Sequence, residues 1–584
     1  MASKRIWASL HPFFEGGGIL GRGVANAEFL TALLQADPFA AYHFFLQDQA
    51  QADALTARLA ERFPALAARG AFMVGTRFDL PAALARHEYA CFHLSDYVAD
   101  TVPLMRLRNA LCTSRAGDGG SGCAGKFFPV TGPTHSLSYA RYAPFFFGLL
   151  WEGVSPGDAM IVTSRAARDA MSRYFAAFRE GYALDQAAFP EPGLELIPLG
   201  VNPAAFPAPG EKGALGASMR EELGLRRDEL VLLVFARISH YSKMDILPLF
   251  RALIRAQAQG LPHGGYTLVM AGWVEDGDTM PDTYRTLAAN LGIRLLVVPS
   301  PPDAVRKKLF AAADIFLSPV DNPQETFGLS LLEAGVSSLP VVASDFDGYR
   351  DIIIDGETGF LAPTLGPAHT PESDALSGIW FDNQYHLQLA QQSVVDVPRL
   401  AAAIARLAGD VALRERMGAN ARERVTGGFT WEHCVERHCA LWEALARKAE
   451  RAGPSGRAGH TDPALVAGHA GHTGTHRHPL FPAYPRIFGG YYSELLSSEA
   501  ANAISVRWSE AGEAVYRGRD FPVVYAGVER LVPLDALKKL LFRARKPVPL
   551  AALLPAMDGE SAGYEHAAFL VLWALKQDLL ERVS

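Results

Sequence analysis

Residues 322–345 read Asn-Pro-Gln-Glu-Thr-Phe-Gly-Leu-Ser-Leu-Leu-Glu-Ala-Gly-Val-Ser-Ser-Leu-Pro-Val-Val-Ala-Ser-Asp, with the glutamates Glu325 and Glu333 spaced eight positions apart. Glu325 falls in a loop after an apolar strand, Gly328 at a helix start, and Glu333 further along that helix. The first backbone N–H groups of a helix have no partners within it, so with the helix dipole they can hold a pyrophosphate. A glycine there lets the ligand approach closely. A carboxylate just before such a site can accept hydrogen bonds from sugar hydroxyls, and one further along can accept them from a ribose. Taken in isolation, the pair reads instead as a solvated loop acid and a helix-surface acid.

A second stretch, Phe-Ala-Arg-Ile-Ser-His-Tyr-Ser-Lys-Met-Asp over 235–245, ends a buried strand with Arg237 and puts Lys243 just before the next helix. Cations at the mouth of a phosphate site neutralise charge as a leaving group departs. Outside such a pattern both would be ordinary surface charges. Glu15-Gly-Gly-Gly-Ile-Leu-Gly-Arg-Gly follows the first strand, with Gly17 and Gly18 the candidates for ligand approach. The order G-x-G-x-x-G fits there only from Gly16, and no acid follows at the position a dinucleotide site needs, so a flexible turn is the plain alternative. His135, in Phe-Pro-Val-Thr-Gly-Pro-Thr-His over 128–135, comes shortly after a strand, where a lone histidine is ordinarily structural.

No stretch makes a convincing metal site. Asp345-Phe-Asp and Asp276-Gly-Asp fall in turns, where Asp is common anyway. Cys434 and His438 share the face of an amphipathic helix with Trp431 and Leu441, which reads as core packing.

The elements that must position these residues form two α/β series. Strand-like runs at 5–10, 42–46, 71–74, 89–94, 127–131, 160–163 and 194–198 alternate with helical stretches, and a Pro/Gly-rich break follows at 202–213. A second series reads at 229–236, 267–271, 294–298, 315–318 and 340–343. Two doubly wound sheets facing a cleft suit an enzyme with two substrates, because such sheets bind ligands at the carboxyl ends of their strands. The expected domains are 1–205, 206–450 with closing helices, a flexible Gly/His-rich linker over 451–478, and a small, mainly helical module over 479–584. Its helices at 534–543 and 564–580 suggest a winged-helix arrangement.

Bulk composition agrees. A chain of 584 residues with 49% hydrophobic and 20% charged content is an ordinary multidomain globular protein, and its net charge of -7 argues against nucleic acid as a main partner. Five cysteines make no disulfide framework, and the N-terminus shows no signal peptide, so a cytoplasmic location is expected. The aromatic run 143–151 is far shorter than the roughly 18 residues of a membrane span. Peripheral membrane contact through it is a second reading beside a core or acceptor-pocket role.

Over about residues 1–450 the sequence resembles the family 4 glycosyltransferases, whose mark is E-x7-E within a stretch like E-x-F-G-L-x-x-x-E-A, followed by a strand like P-V-V-A-S. Glu325 and Glu333 match it, and Asp347-Gly-Tyr-Arg-Asp-Ile and Asp355-Gly-Glu-Thr-Gly-Phe-Leu continue it. The resemblance implies a GT-B fold and a retaining transfer of a hexose-type sugar from a nucleoside-diphosphate-sugar donor. The acceptor, whether glycan, lipid-linked or protein, is left unidentified. It implies that Glu325 contacts the donor sugar, that Glu333 binds the ribose, and that the amides of Phe327, Gly328, Leu329 and Ser330 face sugar and phosphates. Arg237 and Lys243 would grip the pyrophosphate without a required metal or other cofactor. Gly17 and Gly18 would lie beside the donor phosphates, and His135 would hydrogen-bond the transferred sugar. The spacing from Arg237 to Lys243 is one residue longer than the family's commonest, Leu339 replaces a usual Gly, and Tyr349-Arg-Asp replaces a more frequent acid-bearing turn. Alternatives are an epimerase or hydrolase acting on nucleotide sugars, and a non-catalytic nucleotide- or DNA-binding regulator motivated by the C-terminal module.

Overall fold

The computed structural model describes residues 5–14, 21–113, 127–151, 154–380, 382–452, 483–554 and 562–583. Gly17, Gly18 and most of the expected linker lie outside the described residues. The chain divides into two compact units, one of residues 1–137, 141–200 and 429–482, the other of residues 138–140, 201–428 and 483–584.

The first unit is built on a seven-stranded parallel sheet in the order β3-β2-β1-β4-β5-β6-β7. Its strands are β1 (Ile6–Ser9), β2 (Ala41–Leu46), β3 (Phe72–Thr76), β4 (Tyr89–His93), β5 (Val130–Pro133), β6 (Ala159–Val162) and β7 (Gly193–Leu196). Trp7, Tyr42, Phe44, Phe92 and Met160 are fully buried, as expected of a parallel sheet covered on both faces. β5 begins three residues later than the expected 127, because Pro129 has no N–H for the ladder. The helix Trp431–Ala452, expected among the closing helices of the second domain, belongs to this unit instead. Its Trp442 indole donates to Thr131 Oγ1 at 3.0 Å, and its His438 ring packs on Phe29 at 4.7 Å. His438 is thus a core residue, its Nδ1–H donating to the Cys434 carbonyl at 2.8 Å.

The second unit carries a six-stranded parallel sheet in the order β10-β9-β8-β11-β12-β13. The strands are β8 (Leu230–Phe235), β9 (Tyr266–Gly272), β10 (Leu295–Pro299), β11 (Ile315–Ser318), β12 (Val341–Ser344) and β13 (Gly359–Ala362). In both sheets the order reverses beside the first strand of the series, between β1 and β4 and between β8 and β11. That reversal leaves the crevice where doubly wound sheets bind ligands. Two such sheets in one chain are the GT-B fold class.

Residues 483–584 do not form the separate module that the sequence suggests. β14 (Thr364–Pro367) pairs antiparallel with β15 (Val394–Val395) and parallel with β16 (Glu494–Leu496), which ties the segment into the second unit. A further antiparallel sheet places β17 (Ser505–Trp508) between β18 (Val548–Pro549) and β19 (Leu580–Val583). The last helix, Ala562–Lys576, stops short of the expected 580 because Asp578 adopts a left-handed φ of 58° and turns the chain into β19. Among the described residues no helix is long and apolar enough to cross a membrane.

Candidate active site

Arg237 and Lys243 follow β8, and Glu325 follows β11, so all three flank the point where the strand order of the second unit reverses. β8 and β9 stay close past their ends: the amide of Ala236 donates to the Ala271 carbonyl and that of Ile238 to the Trp273 carbonyl, both at 2.9 Å. Gly272 makes this approach feasible. Its φ is +145°, and a Cβ would lie 1.8 Å from the Ala236 carbonyl oxygen, one residue before Arg237.

The Lys243 ammonium ion-pairs directly with the Glu325 carboxylate, and the two side chains are only 19% and 11% exposed. Glu325 also accepts from the amides of Thr326 at 3.2 Å and Phe327 at 3.3 Å, and from the Tyr349 hydroxyl at 3.3 Å. Burial by itself would raise its pKa, but the Lys243 charge and these hydrogen bonds outweigh it and hold the carboxyl below its ordinary range. Nearby Asp347 goes the other way. Burial first, and then repulsion from Glu325, push it well above the usual carboxylate range. The same two causes push the buried Tyr349 phenol well up, so its hydroxyl stays a donor; it also bonds Ser318 Oγ at 2.8 Å.

Arg237 is half-buried, and its guanidinium makes no hydrogen bond or ion pair with the described residues. Burial lowers its pKa, while the nearby Tyr139, Glu325 and Tyr241 oppose that shift. An arginine stays charged in a protein regardless, so a cation with no direct ion pair among the described residues stands beside the Lys243–Glu325 pair, and the three charges together leave a net positive one. The helix Leu329–Val336 begins at Gly328, which has φ +107°, and no side chain caps it. A Cβ at Gly328 would come within 2.6 Å of the Tyr349 ring, so glycine is what lets the helix start beside that tyrosine. Of the four amides expected to face a ligand, that of Phe327 points to Glu325 instead.

Glu333 lies on this helix with its carboxylate paired to Arg306 Nη1 at 2.6 Å, and the Arg306 guanidinium covers the Phe206 ring at 5.7 Å. A ribose binding there would share Glu333 with Arg306; a carboxylate has lone pairs for both. Spacing alone did not point to Arg306, which is distant in sequence and brought near by the fold.

His135 belongs to the first unit, after β5, where its Nε2–H donates to the Ser95 carbonyl at 2.8 Å. Its neighbours form a polar group at the strand reversal of that sheet. His11 Nδ1 accepts from the Ser95 amide at 2.9 Å, so its Nε2 carries the proton donated to Asp100 at 2.9 Å. Arg77 grips Asp100 through both terminal nitrogens, at 3.1 and 2.7 Å. The hydrogen bond from His11, set against burial and joined by Arg77, lowers the Asp100 carboxyl to about 2. Neither His11 nor Asp100 stands in a motif, so only the tertiary structure brings this group out.

Residues 217–368 match the family model described as glycosyl transferases group 1. The D-inositol 3-phosphate glycosyltransferase of Kineococcus radiotolerans is 32% identical over 272 residues, 44% of this chain and 53% of that protein. The protein of the same name from Actinosynnema mirum is 34% identical over 200 residues, 34% of this chain and 45% of that protein. The chain thus spans about half the length of the curated relatives it matches. Among solved structures, Anabaena HepE in complex with UDP and glucose is 16% identical with a TM-score of 0.48, over 75% of this chain and 100% of that one. Arg237, Lys243, Glu325 and Glu333 thus all fall within the segment 217–368 that is similar to the glycosyl transferases group 1 model, in a chain of the GT-B fold class.

Proposed function

We propose that this protein is a retaining glycosyltransferase that moves a hexose-type sugar from a nucleoside-diphosphate sugar to an acceptor hydroxyl. The observation that carries this reading is the net positive charge where Arg237, with no direct ion pair among the described residues, stands beside the Lys243–Glu325 pair and the uncapped helix start at Gly328. Such an arrangement is made to receive an anion, and a diphosphate supplies one. In the proposed step the bond from the anomeric carbon to the phosphate oxygen breaks, and its electron pair leaves with the diphosphate. The acceptor oxygen bonds to the same face of that carbon, and its proton passes to the departing phosphate. Arg237 and Lys243 neutralise the growing charge, a task for which no divalent metal is then required. Glu325 would orient the sugar, with Tyr349 and the Thr326 and Phe327 amides fixing its carboxylate.

The relatives' names make a phosphorylated polyol a first acceptor to try, beside glycan, lipid-linked and protein acceptors. The test is turnover of a labelled donor panel with product analysis. Transfer to an acceptor is expected, with loss of about two to three orders of magnitude in both Arg237→Ala and Glu325→Ala. Turnover that only epimerises or hydrolyses the donor, or that survives both substitutions, would overturn the proposal.

A further inference from the structure

Outside the matched segment 217–368, the C-terminal region reaches the loops that carry Lys243 and Glu325. Lys576, at the end of the helix Ala562–Lys576, is 0% exposed. Its ammonium ion-pairs with Asp321, four residues before Glu325, and donates to the Ala390 carbonyl at 2.9 Å. The Asp321 carboxylate also accepts the amide of Asp245, two residues after Lys243, at 3.3 Å. Asp245 in turn accepts from Tyr525 Oη at 2.9 Å and Gln577 Nε2 at 2.8 Å, and Tyr525 stacks on His240 at 4.2 Å. The third loop of the site is held from the same region, because the Tyr491 carbonyl accepts the Asp347 amide at 2.9 Å and Arg350 Nη2 at 2.5 Å.

Buried ion pairs contribute little net stability compared with apolar side chains of the same volume, because desolvation offsets their attraction. Their directional bonds fix geometry instead. Here the fixed parts are the two backbone turns that carry Lys243 and Glu325, which are further joined by Asn322 Nδ2 donating to the Tyr241 carbonyl at 3.0 Å.

We propose that Lys576 is a positioning residue for the candidate active site: through Asp321 and Asp245 it holds the turns 239–245 and 321–325 in register, so residues 483–584 complete the nucleotide-binding half of the protein. This rests on reading 237–333 as the donor site, and the test separates the two. Lys576→Met alone would leave Asp321 buried without its countercharge, so the informative variant of the full chain is Lys576→Met with Asp321→Asn, which removes both charges and keeps the volume. A melting temperature within about 3 °C of the parent is expected. Amide exchange in peptides covering 239–245 and 319–328 should accelerate about tenfold or more. Affinity for whichever of UDP, GDP or ADP the parent binds should fall about tenfold. Exchange and affinity both within about twofold of the parent, at a restored melting temperature, would overturn the proposal. If the double variant does not fold, Tyr525→Phe deletes one hydroxyl at the same knot. It should accelerate exchange in 239–245 and weaken nucleotide binding, and no change in either would also overturn it. A parent that binds none of the three nucleotides would count against the donor reading, while the exchange result would still decide the role of Lys576.

Discussion

At the scale of single residues, the two cations of the site differ in what they do for the folded protein. Lys243 neutralises Glu325, a carboxylate only 11% exposed, whereas Arg237 makes no ion pair with the described residues. Lys243→Ala should therefore weaken nucleotide binding and also cost about 1–3 kcal/mol of stability, because it strips a largely buried carboxylate of its partner. Arg237→Ala should weaken binding by about tenfold or more while leaving the melting temperature unchanged. Calorimetry with nucleoside diphosphates and thermal melts of both variants check this contrast. Equal loss of stability in the two would mean that Arg237 has a structural partner after all. The Glu325 and Glu333 spacing was legible in the chain, and so were Arg237 and Lys243. Tyr349 stood in the sequence only as a departure from the family turn, yet its hydroxyl reaches Glu325, and Arg306 was invisible because the residue it holds is 27 positions away.

At the scale of elements, backbone approach and burial set the sensitivities. Gly272→Ala would place a Cβ 1.8 Å from a backbone oxygen, which cannot rotate away, whereas Gly328→Ala would press on a tyrosine ring. Both positions also have positive φ, so each substitution should destabilise the second unit, by about 1–3 kcal/mol at Gly328 and by more at Gly272. Denaturant titration gives the order. In the first unit, burial pushes His438 down to about 4, and burial with the neighbouring His87 pushes His43 down to about 4. The unfolded chain takes up protons near pH 6.5 that the folded core refuses until about pH 4. Stability is then complete above about 6.5 and falls as pH drops through that window, by about 3 kcal/mol for each histidine at its lower end. Melts between pH 7 and 4.5 should show this slope, and His438→Gln should make it shallower.

At the scale of the whole chain, two long returns matter more than the linear order of domains. The helix Trp431–Ala452 goes back to the first unit, and residues 483–584 go back to the second. Removing 483–584 would take away β16, leave β14 without that neighbour, and strand Asp245 and Asp321 without Tyr525, Gln577 and Lys576. Such a truncation should lower the stability of the second unit sharply and expose it to limited proteolysis, while a clean two-step digest leaving a stable 1–450 fragment would contradict this architecture.

The sequence by itself determined that there are two doubly wound sheets, where nearly every one of their strands lies, and which acids and cations surround the second strand reversal. Those features rest on short-range pattern: apolar runs, strand and helix alternation, and a motif whose residues are neighbours in the chain. Only the tertiary structure decided that Lys243 closes on Glu325, that Arg306 occupies Glu333, and that Lys576 anchors Asp321 from 255 positions away. Each of those is a charge pairing between segments far apart in sequence, and it is set by which buried groups must find a counterion once the sheets and their covering helices have packed.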